Sequence, residues 1–148
     1  MTQQTIDEWF KRAVPNPTDE TRCVQIGCHY EEVAEMASVL CDHYESPEEL
    51  SVRYKMKRSD CLSEIAQLTP ALRRELLDSL CDQIVTARGV AHMFGMDIEG
   101  ALAEVNRSNW SKFDADGNPL FNEQGKIAKG PNYTPPDLTP FIGVDTVK

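Results

Sequence analysis

Apolar residues recur every three or four positions over most of the chain before Asn109, the spacing of helices that bury one side. Ile6, Trp9 and Phe10 share the buried side of a short helix predicted over Thr5 to Ala13. Asn16, Pro17 and Asp19 read as the cap, first residue and acidic first turn of a long helix reaching about Tyr44. Ser46, Pro47 and Glu49 have capping-box spacing and open a short helix or turn. A basic stretch from Arg53 to Arg58 follows, then a helical piece over Asp60 to Leu68. Thr69 and Pro70 start a second long helix that runs to about Ala91, Gly95 ends it, and Asp97 caps a further helix through Val105.

After Asn109 the pattern changes. Five of the nine prolines and four of the eight glycines lie beyond Asp116. Asp116-Gly117 and Gln124-Gly125 are turn signals around Leu120 and Phe121, consistent with a small hairpin or ordered loop. Pro131, Pro135, Pro136 and Pro140 exclude a continued helix. The expectation is therefore one all-α domain over residues 1–148, with a helical-bundle core over about 5–109 and an irregular C-terminal arm over about 110–148.

Acids fall in two places on this frame. Glu31, Glu32 and Glu35 lie on the first long helix; Glu75, Asp78 and Asp82 lie on the second; Glu64 stands between. With Glu75 at zero, Asp78 falls near roughly 300° and Asp82 near roughly 340° around the helix. Leu72, Leu76, Leu80 and Ile84 border this arc on one side, Cys81 and Val85 on the other, which predicts an enclosed acidic face. Glu32 and Glu35, three apart, share a side of their helix and continue into an apolar stripe, with Glu31 pointing further out. Acids also border ordinary amphipathic helices, so a solvated edge is the competing reading. Like charges in an apolar surround are costly unless a cation binds them, and oxygen-only donors suit magnesium or manganese.

The formal charge of −9 argues against a nucleic-acid polymer as partner, yet leaves a small nucleotide open once a metal inverts the local charge. Residues 106–133 run against the trend, with Arg107, Lys112, Lys126 and Lys129 against Asp114, Asp116 and Glu123. Lysines on a glycine-containing loop can neutralise a triphosphate tail, and Asn106, Asn109 and Asn132 add amide donors and acceptors. Five cysteines (Cys23, Cys28, Cys41, Cys61, Cys81) have neither disulfide-framework nor zinc spacing and read as reduced intracellular thiols. No Glu-x-x-His pair accompanies His29, His43 or His92, which removes the helical di-iron option. With no basic leader and no membrane-length apolar run, the expectation is a soluble, cytoplasmic protein with no membrane partner.

Glu31-Glu32-Val33-Ala34-Glu35 followed by Glu75-Leu76-Leu77-Asp78 resembles the Glu-Glu-x-x-Glu and Glu-x-x-Asp motifs of the all-α nucleoside triphosphate pyrophosphohydrolases. The continuation is more specific: Asp78-Ser-Leu-Cys-Asp82, Glu104-Val-Asn106-Arg-Ser-Asn109, Ser111-Lys112-Phe113, Lys129-Gly-Pro-Asn-Tyr133 and Pro135-Pro136-Asp137-Leu138. Over Val24 to Leu138 the chain looks like the phosphoribosyl-ATP pyrophosphohydrolase-like branch of that MazG-like superfamily, common in bacteria and their phages. The resemblance implies that Glu32, Glu35, Glu75 and Asp78 ligate magnesium, with manganese as the alternative. It implies that Asp82 supports the site, that Glu31 or Glu35 takes a proton, and that Asn106, Asn109, Lys112, Lys126, Lys129 and Asn132 hold the nucleotide. The implied reaction cleaves the α–β phosphate bond to a monophosphate and pyrophosphate, as in nucleotide-pool cleaning, and the implied assembly is a homodimer or homotetramer. Phosphoribosyl-ATP hydrolysis and a non-catalytic nucleotide sensor are the alternatives. The stretch between the acidic motifs, residues 41–69, is longer than in minimal members, so an added helix or substrate lid is expected there.

Overall fold

The structure, a computed structural model, describes residues 6–40, 46–123 and 125–143. Cys41, His43, the expected helix end at Tyr44 and Gln124 lie outside the described residues. The described residues form six α-helices, α1 (Ile6–Ala13), α2 (Asp19–Leu40), α3 (Pro47–Lys55), α4 (Ser59–Ala66), α5 (Pro70–Met93) and α6 (Ile98–Trp110), followed by a short 3-10 helix, Thr139–Phe141. The all-α expectation holds: among the described residues the only β pairing is a single antiparallel bridge, Phe121 to Ile127. No described helix is long and apolar enough to cross a membrane. Residues 1–93 and 94–148 form two compact units, so α6 groups with the arm rather than with the preceding helices.

In the first unit, α5 packs along α2 and α1 lies against α5. Gln25 Nε2 donates to the Thr86 carbonyl at 3.2 Å, and His29 Nδ1 meets Thr86 Oγ1 at 2.8 Å. Early residues of α2 thus meet late residues of α5, and the two helices run antiparallel. Their seam is lined by small or polar residues of α5: Ser79 and Gly89 are buried, and Thr86 turns its hydroxyl to the Asp82 carbonyl at 2.9 Å. A Cβ at Gly89 would strike the Phe10 ring and the Gln25 side chain, so glycine is what allows three helices to approach there.

Several local expectations shift. The first turn of α2 is capped by Thr18 rather than Asn16, because the Thr18 and Thr21 hydroxyls each accept from the other's backbone N–H, at 3.3 and 2.9 Å. Phe10 is buried as expected, but Trp9 is 62% exposed and meets the Phe10 ring edge-on at 4.8 Å. The Ser46–Glu49 capping box forms in full. Arg53, first of the basic stretch, is not a solvated side chain: it is buried, with Nη2 donating to Asp60 at 2.7 Å and to Glu64 at 3.2 Å. Glu64 also accepts from the Tyr54 hydroxyl at 3.1 Å, so the seventh acid ties α3 to α4. The inserted stretch is a helical hairpin over its described part.

In the second unit, Asp97 caps α6 by accepting from the Gly100 N–H at 3.0 Å, and the helix runs on past Val105 to Trp110. The arm is held mainly by hydrogen bonds. Arg107 clasps Glu104 through two N–H groups at 2.8 Å and donates to the Thr134 hydroxyl at 2.7 Å, while the Asp137 N–H donates to Glu104 at 2.9 Å. Buried Ser108 donates to the Thr134 carbonyl at 2.8 Å, and the Gly130 N–H to the Lys112 carbonyl at 2.8 Å.

Candidate functional site

On α2, Glu32 is half-buried, whereas Glu31 and Glu35 are exposed. On α5, Asp82 is half-buried, whereas Glu75 and Asp78 are exposed. Across the pair, Glu32 feels the charges of Asp82 and Asp78 on α5 as well as those of Glu31 and Glu35 on its own helix.

Glu32 carries the electrostatic load of the pair. Its Oε2 is sealed from solvent and has no hydrogen-bond partner among the described residues. Burial pushes its carboxyl above the usual range, and the charges of Glu35, Asp82, Glu31 and Asp78 push it further. The structure therefore brings five of the six predicted acids into one electrostatic group spanning two helices. Glu75 is not among the groups that act on Glu32. Among the described residues, no three His, Cys, Asp or Glu side chains stand close enough to share one metal ion. The donor set still fits a hard cation in kind, since a buried, unpaired carboxylate oxygen among like charges is the environment a divalent ion relieves.

The acidic face is enclosed only in part. Of its expected apolar border, Leu80, Cys81 and Ile84 are exposed, whereas Leu72, Leu76 and Val85 are half-buried. Ser79, Thr86 and Gly89, which share the helical arc of the acids, form the seam with α2. The described histidines are packing groups. The Thr86 hydroxyl gives its proton to a backbone carbonyl and so accepts from His29 Nδ1. His92 stacks near Phe10 and donates from Nε2 to the Val14 carbonyl at 2.7 Å. The four described cysteines are free thiols.

The second unit holds an open cleft of about 420 Å³ lined by Asn106, Asn109, Trp110, Lys112, Phe113 and Ile127. Three of these, Asn106, Asn109 and Lys112, are predicted nucleotide contacts; Lys126, Lys129 and Asn132 are exposed and do not line it. Lys112 Nζ donates to Asn109 Oδ1 at 2.8 Å, and Lys129 Nζ sits 4.8 Å from the centre of the Tyr133 ring. Sequence reasoning missed Trp110 and Ile127, and took Phe113 only as part of a motif. The available signal was an aromatic pair three residues apart at the end of α6, interleaved with Asn106 and Asn109.

No known protein family matches this sequence, and no curated protein does.

Proposed function

We propose that this chain is a magnesium-dependent nucleoside triphosphate pyrophosphohydrolase of the all-α, MazG-like kind. The observation that carries the reading is the buried, unpartnered Glu32 oxygen facing the charges of both acidic motifs. Resemblance of the two motifs supplies the reaction class, and charge supplies its logic. A triphosphate repels an attacking water, and pyrophosphate leaves with high charge. Magnesium, or manganese in its place, supplies the neutralising charge and lowers the pKa of the attacking water.

In this reading Glu32, Glu35, Glu75 and Asp78 would hold the metal, with Asp82 supporting them. Glu35 and Asp78 lie at exposed helix positions, where side chains change rotamer within nanoseconds, so both can turn towards Glu32. The water oxygen bonds to the α-phosphorus as the bond to the α–β bridging oxygen breaks, and that electron pair leaves with pyrophosphate. Glu31, or Glu35 where it does not ligate, takes the water's proton. Asn106, Asn109, Lys112, Lys126, Lys129 and Asn132 hold the nucleotide, and the biological role is nucleotide-pool cleaning. The exposed Leu77, Leu80 and Ile84, at helical spacing on one face of α5, support assembly as a homodimer or homotetramer.

A pyrophosphate-release assay over common and modified nucleoside triphosphates, with and without magnesium, tests the reading. Glu35→Gln and Asp78→Asn are expected to keep the helical fold and lose release by three orders of magnitude or more. Full magnesium-dependent activity in both variants sinks the assignment.

A further inference from the structure

The Trp110 cleft has the composition of a base-binding site. Trp110 lies 65% exposed at the end of α6, and its ring meets Phe113 edge-on, with centroids 5.2 Å apart and planes at 73°. An exposed tryptophan face carries a large unmet apolar cost, and a flat heterocycle relieves it at little entropic expense. Ile127 adds apolar wall, and Asn106 and Asn109 set amides on the rim. Asn109 Oδ1 is engaged by Lys112, which leaves its Nδ2 as a donor, while the Asn106 amide offers one donor group and one acceptor. The cleft volume falls within the roughly 300–1,000 Å³ usual for small-ligand sites.

The floor is held in place. The Gly130 N–H binds the Lys112 carbonyl, and Ser108 and Ser111 fix Thr134 behind the helix end. A Cβ at Gly130 would crowd the Lys112 carbonyl, which keeps the arm close against the cleft's own backbone.

We propose that this cleft takes the nucleobase of a nucleotide, stacked on Trp110, with its edge read by the Asn106 and Asn109 amides and its phosphate end drawn by Lys112. The ligand's identity rests on the nucleotide reading above, but the site needs neither the carboxylates nor a metal. Binding to the full-length protein in excess chelator isolates it. Calorimetric titration with nucleoside monophosphates is compared with ribose 5-phosphate and inorganic phosphate. At least one monophosphate is expected to bind, with the two base-free compounds at least tenfold weaker. Trp110→Ala should weaken the monophosphate tenfold or more, and Trp110→Phe should restore most of the loss.

Equal binding of ribose 5-phosphate, or a Trp110→Ala variant that binds as tightly as the parent, overturns the site. So does a failure of every common monophosphate to bind. Pyrophosphate release with an unchanged KM in Trp110→Ala sinks the base site and leaves the hydrolase standing. Base binding without any pyrophosphate release does the reverse.

Discussion

In the α2–α5 pair the residues at the seam are small or polar, while Leu77, Leu80 and Ile84 face water and a glutamate oxygen is sealed in without a partner. Where α6 meets the arm that follows it the polar groups are matched: Arg107 meets Glu104, Thr134 and Pro135, and buried Ser108 meets a backbone carbonyl. A sequence rich in proline and glycine thus makes the better satisfied region, because each irregular segment must pair its backbone with something specific. The two long helices satisfy their backbones internally, which frees their side chains to be arranged for something outside the chain. The buried Glu32 carboxylate oxygen without a partner among the described residues lies in the helix pair, whereas exposed apolar side chains occur in both regions, Leu77 and Ile84 in the pair, Trp110 and Phe121 in the second unit.

The sharpest break in this comparison is Glu32→Gln. If Glu32 is functional, the variant loses pyrophosphate release by a factor of about a thousand or more. Its stability should move the other way. The Glu32 carboxyl titrates above its unfolded value, so its ionised form is held less well by the fold than by water. Stability is therefore reduced as pH rises from the ordinary carboxylate range through the raised folded value, and the amide removes that loss. Thermal unfolding at pH 7 should show Glu32→Gln no less stable than the parent. A lower melting temperature in the variant would mean that the glutamate is an ordinary structural acid.

Next in size is the seam itself. A side chain at Gly89 must displace the Phe10 ring and Gln25, and Phe10 also stacks near His92. Gly89→Val is expected to cost about 2 kcal/mol or more by overpacking, read as a lower urea midpoint at unchanged slope. Gly89→Ala should cost less, since the helix propensity gained from alanine, up to about 1 kcal/mol, offsets part of the clash. A neutral Gly89→Val would mean that α1 does not lie on the pair at that point.

The sequence made the local signals legible and left the relative placement of elements hidden. The Ser46–Glu49 box, the Asp97 cap and the helix end at Gly95, where φ is +65°, depend on neighbours within a few residues, and all form as read. Periodicity gives the face on which Glu32, Asp78 and Asp82 lie, but not the sliding of one helix along the other, so it could not separate Glu75 from the rest. It also cannot tell which apolar stripe is covered by this chain. The arc that the acids share with Ser79, Thr86 and Gly89 makes the seam, while Leu77, Leu80 and Ile84 stay exposed, because small residues permit the closer approach. Arg53 reads only as the start of a basic stretch until Asp60 and Glu64 close around it, and that pairing depends on the turn between α3 and α4. The spacing of Trp110 and Phe113 was legible, but Ile127, which completes the cleft wall, is brought there only by the fold of the arm.

The smallest expected effect tests the satisfied side of the comparison. The Arg107 hydrogen bonds, joined by the Asp137 N–H, hold the Glu104 carboxyl at about 2, far below the ordinary value of 4.5. Because the folded value is the depressed one, Glu104 stabilises the arm above about pH 4.5, and that stabilisation fades as pH falls towards about 2. Both partners keep access to solvent, so the effect is modest and salt-sensitive. Hydrogen exchange at the amides of Thr134 and Asp137 should quicken across that acid window, and Arg107→Ala should bring the same loss of protection at neutral pH. In Glu104→Gln the acid-dependent change at these amides should disappear, while the Ser46–Glu49 cap, whose carboxyl is lowered by the Ser46 N–H and hydroxyl, keeps its own acid response. Uniform acid sensitivity in the parent and in Glu104→Gln would show that the arm is held by backbone pairing alone, and that the charge on Glu104 adds nothing to its order.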